Sequence, residues 1–258
     1  MLLTRSKIDR FFDNYFSAEK GRRVSPRSVK NYRSTISRYA ARYERLDDRS
    51  VSEFLASYPN PASANVVLVR LNALAEYLDA PLKVTRAKEK VKNPEALSSS
   101  ELTQVVSQCF TISSTLGHAV RILANTGMRV HELYTLNEGS LHYRDGVPVL
   151  KILGKGQKER DVPLSAESVC SFQALTLPVR TGLTEKNLRK SLSKAGKRAG
   201  IPIHVHPHLL RASCASILLN ERGVDSVMVA RLLGWSKTDT LLRHYYKPAI
   251  STLAKMVY

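Results

Sequence analysis

Residues 141–164 read LHYRDGVPVLKILGKGQKERDVPL, and they carry the one convincing strand pattern in the chain. Leu141–Arg144 and Val147–Leu153 flank Asp145-Gly146. An Asp-Gly pair tolerates the left-handed backbone of a tight turn whose twist suits paired strands, so this segment is expected to be a β-hairpin. Gly154-Lys155-Gly156-Gln157-Lys158 then forms a second turn into a short strand through Val162. On either side of this island the apolar spacing is helical, which sets the fold class: mainly α with a small antiparallel β-hairpin or sheet.

Upstream, Ser98 to Ser100 followed by Glu101 has the pattern of a helix N-terminus, and helical spacing continues through Leu133 with a break around Ser113 to Gly117. From Glu185 to the end the pattern is again helical, punctuated by Pro202, Pro207 and Pro248. Near the N-terminus, Ser25-Pro26 begins a helix, because serine caps free N–H groups and proline at the first helical position loses no hydrogen bond. That helix is expected to run to about Glu44. Val29, Tyr32, Ile36, Tyr39 and Tyr43 form its packing stripe, while Arg27, Lys30, Arg38, Arg42 and Arg45 fall largely off it and form a basic face. A second run, from about Ser63 to Leu78, carries Val66, Val67, Val69, Leu71, Leu74 and Leu78 and reads as core. Residues 83–97, KVTRAKEKVKNPEAL, are charged and lack large side chains, so they read as a linker. The expected organisation is a helical domain over residues 1–82, the linker over 83–97, and a second domain over 98–258.

The 258 residues include 40 Lys and Arg against 22 Asp and Glu, a formal charge of +18. The excess is shared, +8 over residues 1–97 and +10 over residues 98–258. Such self-repulsion is relieved by a polyanion, and two basic segments fit a grip on one nucleic-acid duplex. Cys109, Cys170 and Cys214 are few and far apart, which argues against a disulfide framework or a cysteine-rich zinc site and for a reducing interior. The start, MLLTRSKIDRFF, lacks the apolar run of a signal peptide, and no stretch approaches the length of a membrane span. An intracellular, non-membrane protein is expected.

Three motifs carry chemistry that suits a phosphodiester. Attack on one needs cations beside its non-bridging oxygens, an in-line nucleophile and a proton donor for the leaving oxygen. Arginine stays charged and matches phosphate with a planar fork. Thr126-Gly127-Met128-Arg129-Val130-His131-Glu132-Leu133 supplies Arg129, with Glu132 three residues on to orient its guanidinium. His206-Pro207-His208-Leu209-Leu210-Arg211 supplies an imidazole and a second arginine on one face of a helix start. Leu232-Leu233-Gly234-Trp235-Ser236 leads to Arg243-His244-Tyr245-Tyr246-Lys247.

In this order, together with the hairpin segment Gly154 to Leu164, these motifs resemble the tyrosine recombinase, or phage integrase, family, and the resemblance spans most of the chain. It implies a helical N-terminal core-binding (SAM-like) domain plus a mixed α/β catalytic domain, forming a C-shaped DNA clamp. The implied activity is site-specific recombination: strands are cleaved and rejoined through a 3′-phosphotyrosine and exchanged via a Holliday junction. In that scheme Arg129 and Arg211 clamp the scissile phosphate, Lys155 protonates the leaving oxygen, His208 assists proton transfer and Tyr245 attacks. Arg27, Lys30, Arg38, Arg42, Lys158 and Arg160 are the candidate DNA contacts. No metal and no cofactor is implied, and the implied partners are double-stranded recombination sites and three further copies of the chain in a tetramer.

The sequence departs from the family pattern twice. Trp235 stands where most members carry histidine; its indole N–H can donate to phosphate but carries no proton, and packing is its alternative role. Many relatives place the tyrosine nine residues beyond that position, which here is His244, so one residue must be absorbed before Tyr245 and Tyr246 is the alternative nucleophile. Adjacent helical residues point about 100° apart, so the two tyrosines cannot serve one phosphate equally. A type IB topoisomerase-like nicking enzyme and a cleavage-dead architectural DNA-binding protein are the rival readings.

Overall fold

The computed structural model describes residues 1–16, 24–89, 95–154, 158–235 and 238–246, and the chain divides into two compact units, Met1–Lys92 and Asn93–Tyr258. The first contains α1 (Arg5–Tyr15), α2 (Pro26–Ala40), α3 (Asp48–Ala56) and α4 (Pro61–Tyr77). Their shared core is aromatic and aliphatic: Phe11, Ile36, Tyr39, Val51, Phe54, Leu68, Leu71 and Leu74 are almost wholly buried. Ser25 caps α2 as its sequence predicts, accepting from the Ser28 amide. The helix stops at Ala40, short of Glu44, because the following residues bond to the chain start instead: the Leu3 amide donates to the Glu44 carbonyl and the Leu46 amide to that of Met1. On α4, Val67, Leu71 and Leu74 enter the core, but Val66 and Val69, also read as core, are 49% and 41% exposed. Three-and-four spacing cannot bury both neighbours of Val67 and Leu68. Within the stretch read as linker, the Lys83 amide donates to Asp48, and Asn65 exchanges hydrogen bonds with the Ala87 backbone.

The second unit contains α5 (Ser99–Ile112), α6 (Ser114–Thr126), the one-turn helix α7 (Val130–Leu133), strands β1 (Leu141–Arg144), β2 (Val147–Leu153) and β3 (Glu159–Pro163), then α8 (Ala166–Gln173), α9 (Glu185–Arg198), α10 (Pro207–Ser216), α11 (Ser226–Leu233) and α12 (Thr238–Tyr245). Ser98 and Glu101 form the expected reciprocal cap of α5. The helical run read through to Leu133 is broken twice, at extended Ser113 and again at Gly127, which takes the left-handed conformation that ends α6. β1, β2 and β3 form one antiparallel sheet in sequence order, with Leu141 opposite Leu150 and Ile152 opposite Arg160. Asp145 and Gly146 both have positive φ, as the hairpin turn requires. A five-residue π-helical segment, Ile217–Glu221, continues α10. The expected break at Pro248 lies outside the described residues.

Candidate active site

Arg211 sits on the first turns of α10, a position fixed by His206, whose Nδ1 caps the helix by accepting from the Leu209 amide, and by Pro207 behind it. Its side chain is buried, at 2% exposure, yet among the described residues it has no carboxylate partner. Two carbonyls hold it instead: Nη1 donates to Gly127 at 2.7 Å and Nη2 to Leu233 at 2.6 Å. Both carbonyls belong to helix C-termini, of α6 and α11, where aligned peptide dipoles leave partial negative charge. The two helices end at Gly127 and Gly234, both in the left-handed region. A Cβ on Gly127 would come within 2.3 Å of the Leu233 side chain, so only glycine lets the two helix ends close around the guanidinium. Burial, and next the positive charge of Arg129, lower the Arg211 pKa to about 10, which still leaves it cationic at neutral pH.

Arg129 lies just before α7, as its N-cap with extended backbone. The sequence places it with Glu132 on one helical face; the contact instead spans the cap. The Arg129 amide donates to Glu132 Oε2 at 2.7 Å, and Nη1 donates to Oε1 at 3.0 Å. The Arg129 side chain keeps 30% exposure while Glu132 has none. Burial alone would raise the Glu132 pKa; the side-chain bonds from Arg160, the Arg129 amide, the Arg160 charge and the Arg129 side-chain bond outweigh it and hold the carboxyl below its ordinary value.

Arg160 is expected from the sequence to contact DNA beside Lys158. Lys158 is exposed, but the Arg160 side chain is only 10% exposed. The period of two along β3 turns Arg160 to the same face as buried Val162, while Glu159 and Asp161 on the other face pair with Lys151 and Arg144. Its guanidinium donates to both Glu132 oxygens, at 3.1 and 2.7 Å, and its Nε to the Leu232 carbonyl at 3.0 Å.

Trp235 follows the left-handed Gly234 and joins the two halves of the cluster. The Arg211 guanidinium lies 5.0 Å from its ring centre, and Tyr245 stacks on it with centroids 5.6 Å apart and planes 8° from parallel. Tyr245 is the last residue of α12, and the Asn220 side chain donates to its carbonyl at 2.7 Å from the π-helical segment. Burial raises the Tyr245 phenol pKa, an effect that the charge of Arg211 opposes. Tyr246, beyond the helix end, is 43% exposed. His208 is exposed on α10; loss of water around part of its ring, then the charges of Arg211 and Arg129, lower its pKa.

The structure therefore brings Arg129, Glu132, Arg211, Trp235 and Tyr245 into one connected network with His208 at its edge, and it adds Arg160 to the interior. Lys155 lies outside the described residues. Gly127 and Leu233 act through backbone geometry or a backbone carbonyl, and Asn220 through a side-chain bond to the Tyr245 carbonyl, so sequence reasoning misses them; the two glycines closing helical runs were the available signal for the first two. Arg27, Lys30, Arg38 and Arg42 are all exposed in the first unit. Among the described residues no group of three or more His, Cys, Asp or Glu is placed to hold a metal, and no helix is long and apolar enough to cross a membrane.

A mostly helical unit with a three-stranded sheet and an arginine-rich cluster beside a stacked tyrosine is the architecture of the tyrosine recombinase catalytic domain. The fold is shared with a lambda integrase fragment in a dimer bound to a COC′ core site (TM-score 0.75, 18% identity, 95% of this chain and 96% of that one). It is also shared with XerH recombinase in a post-cleavage complex with its difH substrate (TM-score 0.69, 20% identity, 93% of this chain and 80% of that one). Residues 95–251 match the model of the phage integrase family. Tyrosine recombinase XerC of Proteus mirabilis is 29% identical over 272 residues, covering 90% of this chain and 86% of the relative. Tyrosine recombinase XerD of Listeria monocytogenes serotype 4b is 28% identical over 264 residues, covering 90% and 82%. The chain belongs to the phage integrase family and is a site-specific tyrosine recombinase, an enzyme that cleaves and rejoins DNA.

Proposed function

We propose that the chain recombines double-stranded DNA sites through a 3′-phosphotyrosine formed on Tyr245, with Arg129 and Arg211 holding the scissile phosphate. The observation that carries this reading is Arg211, a buried cation held by two carbonyls and, among the described residues, by no carboxylate, beside Trp235 and the stacked Tyr245. A buried guanidinium has five N–H donors. Among the described residues no acid bonds to it, so an anion arriving beside it meets donors already in place and little reorganisation is needed as charge develops.

Tyr245 attacks the phosphorus, the bond to the 5′ oxygen breaks, and that oxygen takes a proton from Lys155, the residue the family resemblance assigns. His208, whose lowered pKa keeps its ring mostly neutral at pH 7, accepts the phenolic proton around the attacking oxygen. The bond energy kept in the phosphotyrosine allows religation by the 5′ hydroxyl of another strand, and exchange passes through a Holliday junction. Trp235 donates its indole N–H to a phosphate oxygen and packs the nucleophile. Exposed Arg27, Lys30, Arg38, Arg42 and Lys158 contact backbone phosphates. The active assembly is a homotetramer on paired sites, working inside the cell where the DNA is; a lambda integrase tetramer bound to a Holliday junction is among the structures sharing this fold.

Wild type, Tyr245→Phe and Tyr246→Phe, incubated with excess EDTA on nicked DNA carrying candidate sites, test the reading through SDS-resistant protein–DNA adducts. The nick lets the released strand diffuse away and traps the intermediate. The expected outcome is an adduct with wild type and Tyr246→Phe and none with Tyr245→Phe. Loss only in Tyr246→Phe moves the nucleophile by one residue, and no adduct from any protein on DNA that it binds overturns the catalytic reading.

A further inference from the structure

Arg160 bonds to Glu132 through both terminal nitrogens and to the Leu232 carbonyl through Nε, so all three of its nitrogens are committed inside the protein. Glu132 is wholly buried and shares each oxygen between two arginines: Oε1 between Arg129 Nη1 and Arg160 Nη1, Oε2 between the Arg129 amide and Arg160 Nη2. The next carbonyl along α11 from Leu232, that of Leu233, holds Arg211. One guanidinium thus ties the carboxylate that orients Arg129 to the helix end that orients Arg211.

Two glycines make room for it. A Cβ on Gly234 would lie 3.2 Å from Arg160 Cδ and Nη1, and a Cβ on Gly154 3.3 Å from Nη1. Gly154 also follows the end of β2, its amide donating to the Lys158 carbonyl at 2.8 Å. The Arg160 fork therefore lies between the glycine that follows β2 and the glycine that precedes Trp235.

We infer that Arg160 is a positioning residue for strand cleavage, which sets the placement of Arg129 through Glu132 and that of Arg211 through the end of α11. This deepens the recombinase reading above and rests on it. Charge distribution gives the reason. With Glu132 buried and Arg129 its one counter-charge, the Arg129 guanidinium would be drawn fully onto the carboxylate. Because Arg160 bonds both oxygens, Arg129 commits only Nη1 of its side chain and keeps its exposed edge for a phosphate. Lysine cannot substitute, since a single ammonium has no planar fork to span two carboxylate oxygens and a carbonyl together.

The test compares Arg160→Lys, Glu132→Gln and the double variant in single-turnover cleavage of nicked DNA at saturating enzyme, alongside binding measured across a salt series. Each single variant is expected to cleave roughly 100-fold more slowly, the scale at which a small misplacement of reacting groups acts. Binding affinity and its salt slope are expected to stay at wild-type values, and the double variant to be no slower than the slower single. Weaker binding with a salt slope reduced by about one once the cation is removed, in Arg160→Met combined with Glu132→Gln, would mean that Arg160 grips a phosphate, and would overturn the inference. So would wild-type cleavage by either single variant, or effects that multiply in the double. If Arg160→Lys does not fold, Arg160→Met combined with Glu132→Gln removes both buried charges at similar volume; slow cleavage at unchanged affinity supports the inference and wild-type cleavage overturns it. Absence of any adduct from wild type in the same assay counts against the recombinase reading itself.

Discussion

Arg211 in the second unit and Arg38 in the first carry the same guanidinium in opposite settings. Arg211 is 2% exposed and fixed by the carbonyls of Gly127 and Leu233. Arg38 is exposed, donates to the Ser34 carbonyl of its own helix, and lies 5.9 Å from the centre of the Tyr58 ring. Burying a cation without an acidic partner costs stability, so a fold that does it must meet the charge with oriented dipoles. The result is a donor set already aimed before substrate arrives. An exposed cation costs the fold nothing and can move, which suits it to neutralising backbone phosphate but not to stabilising one transition state. On the reading proposed above, the two units divide the work of one charge type: geometry in the second, affinity in the first.

The largest effect that would break this division is at Arg211. Arg211→Lys keeps the charge but cannot hold both helix-end carbonyls and still present a fork. Cleavage is expected to fall roughly 100- to 1,000-fold, the scale for removing one preorganised donor, with DNA affinity much less affected. Single-turnover rates beside binding isotherms give the two numbers. Comparable losses in rate and affinity would show Arg211 acting as an ordinary phosphate contact.

How far the sequence reveals this arrangement depends on whether the signal is local. The hairpin was legible because Asp145-Gly146 admits the positive φ that its turn needs, and the caps at Ser25 and Ser98 were legible because a short polar side chain meets an amide three residues on. α3 was not read: it spans nine residues, and its cap, Asp47 with Ser50, departs from the usual Ser-to-Glu pattern. α1 was also missed, since its buried pair Phe11 and Phe12 is adjacent rather than spaced by three or four. Arg129, Arg211 and Tyr245 stood out by their motifs. Arg160 was read as a DNA contact beside Lys158, whereas its inward face follows from pairing with Ile152 across the sheet, a non-local fact. Likewise the helical spacing through Leu133 concealed that Gly127 ends one helix and delivers its carbonyl to a residue 84 positions away.

A second, smaller effect sharpens the claim that backbone closure, rather than Arg211 alone, builds the pocket. Gly127→Ala forces a side chain into left-handed backbone at φ 58° and against the Leu233 side chain. Strained backbone and overpacking each cost about 1–3 kcal/mol, so thermal unfolding should shift down measurably, and cleavage should fall further than Tm alone explains because the α6 and α11 ends move apart around Arg211. An unchanged Tm with full cleavage would show that the two helix ends have room to spare. Loss of stability with cleavage per folded molecule intact would confine the glycine to a structural role.

The smallest effects belong to the exposed cations, and they test the other half of the comparison. Each of Arg27→Ala, Lys30→Ala, Arg38→Ala and Arg42→Ala removes at most one phosphate contact. Release of the matching counterion is lost with it, so the slope of log affinity against log salt should fall by about one per true contact, almost uniformly across DNA sequences. At saturating protein, cleavage should be unchanged, because nothing near the pocket has moved. Arg38 is the informative member of the set: its position along Tyr58 gives it a packing role that the other three need not share, since stacking against a ring can hold a guanidinium where no phosphate reaches it. If Arg38→Ala lowers Tm while leaving the salt slope alone, that residue braces α2 against the end of α3, and the basic face that meets DNA is narrower than the sequence pattern of α2 implies.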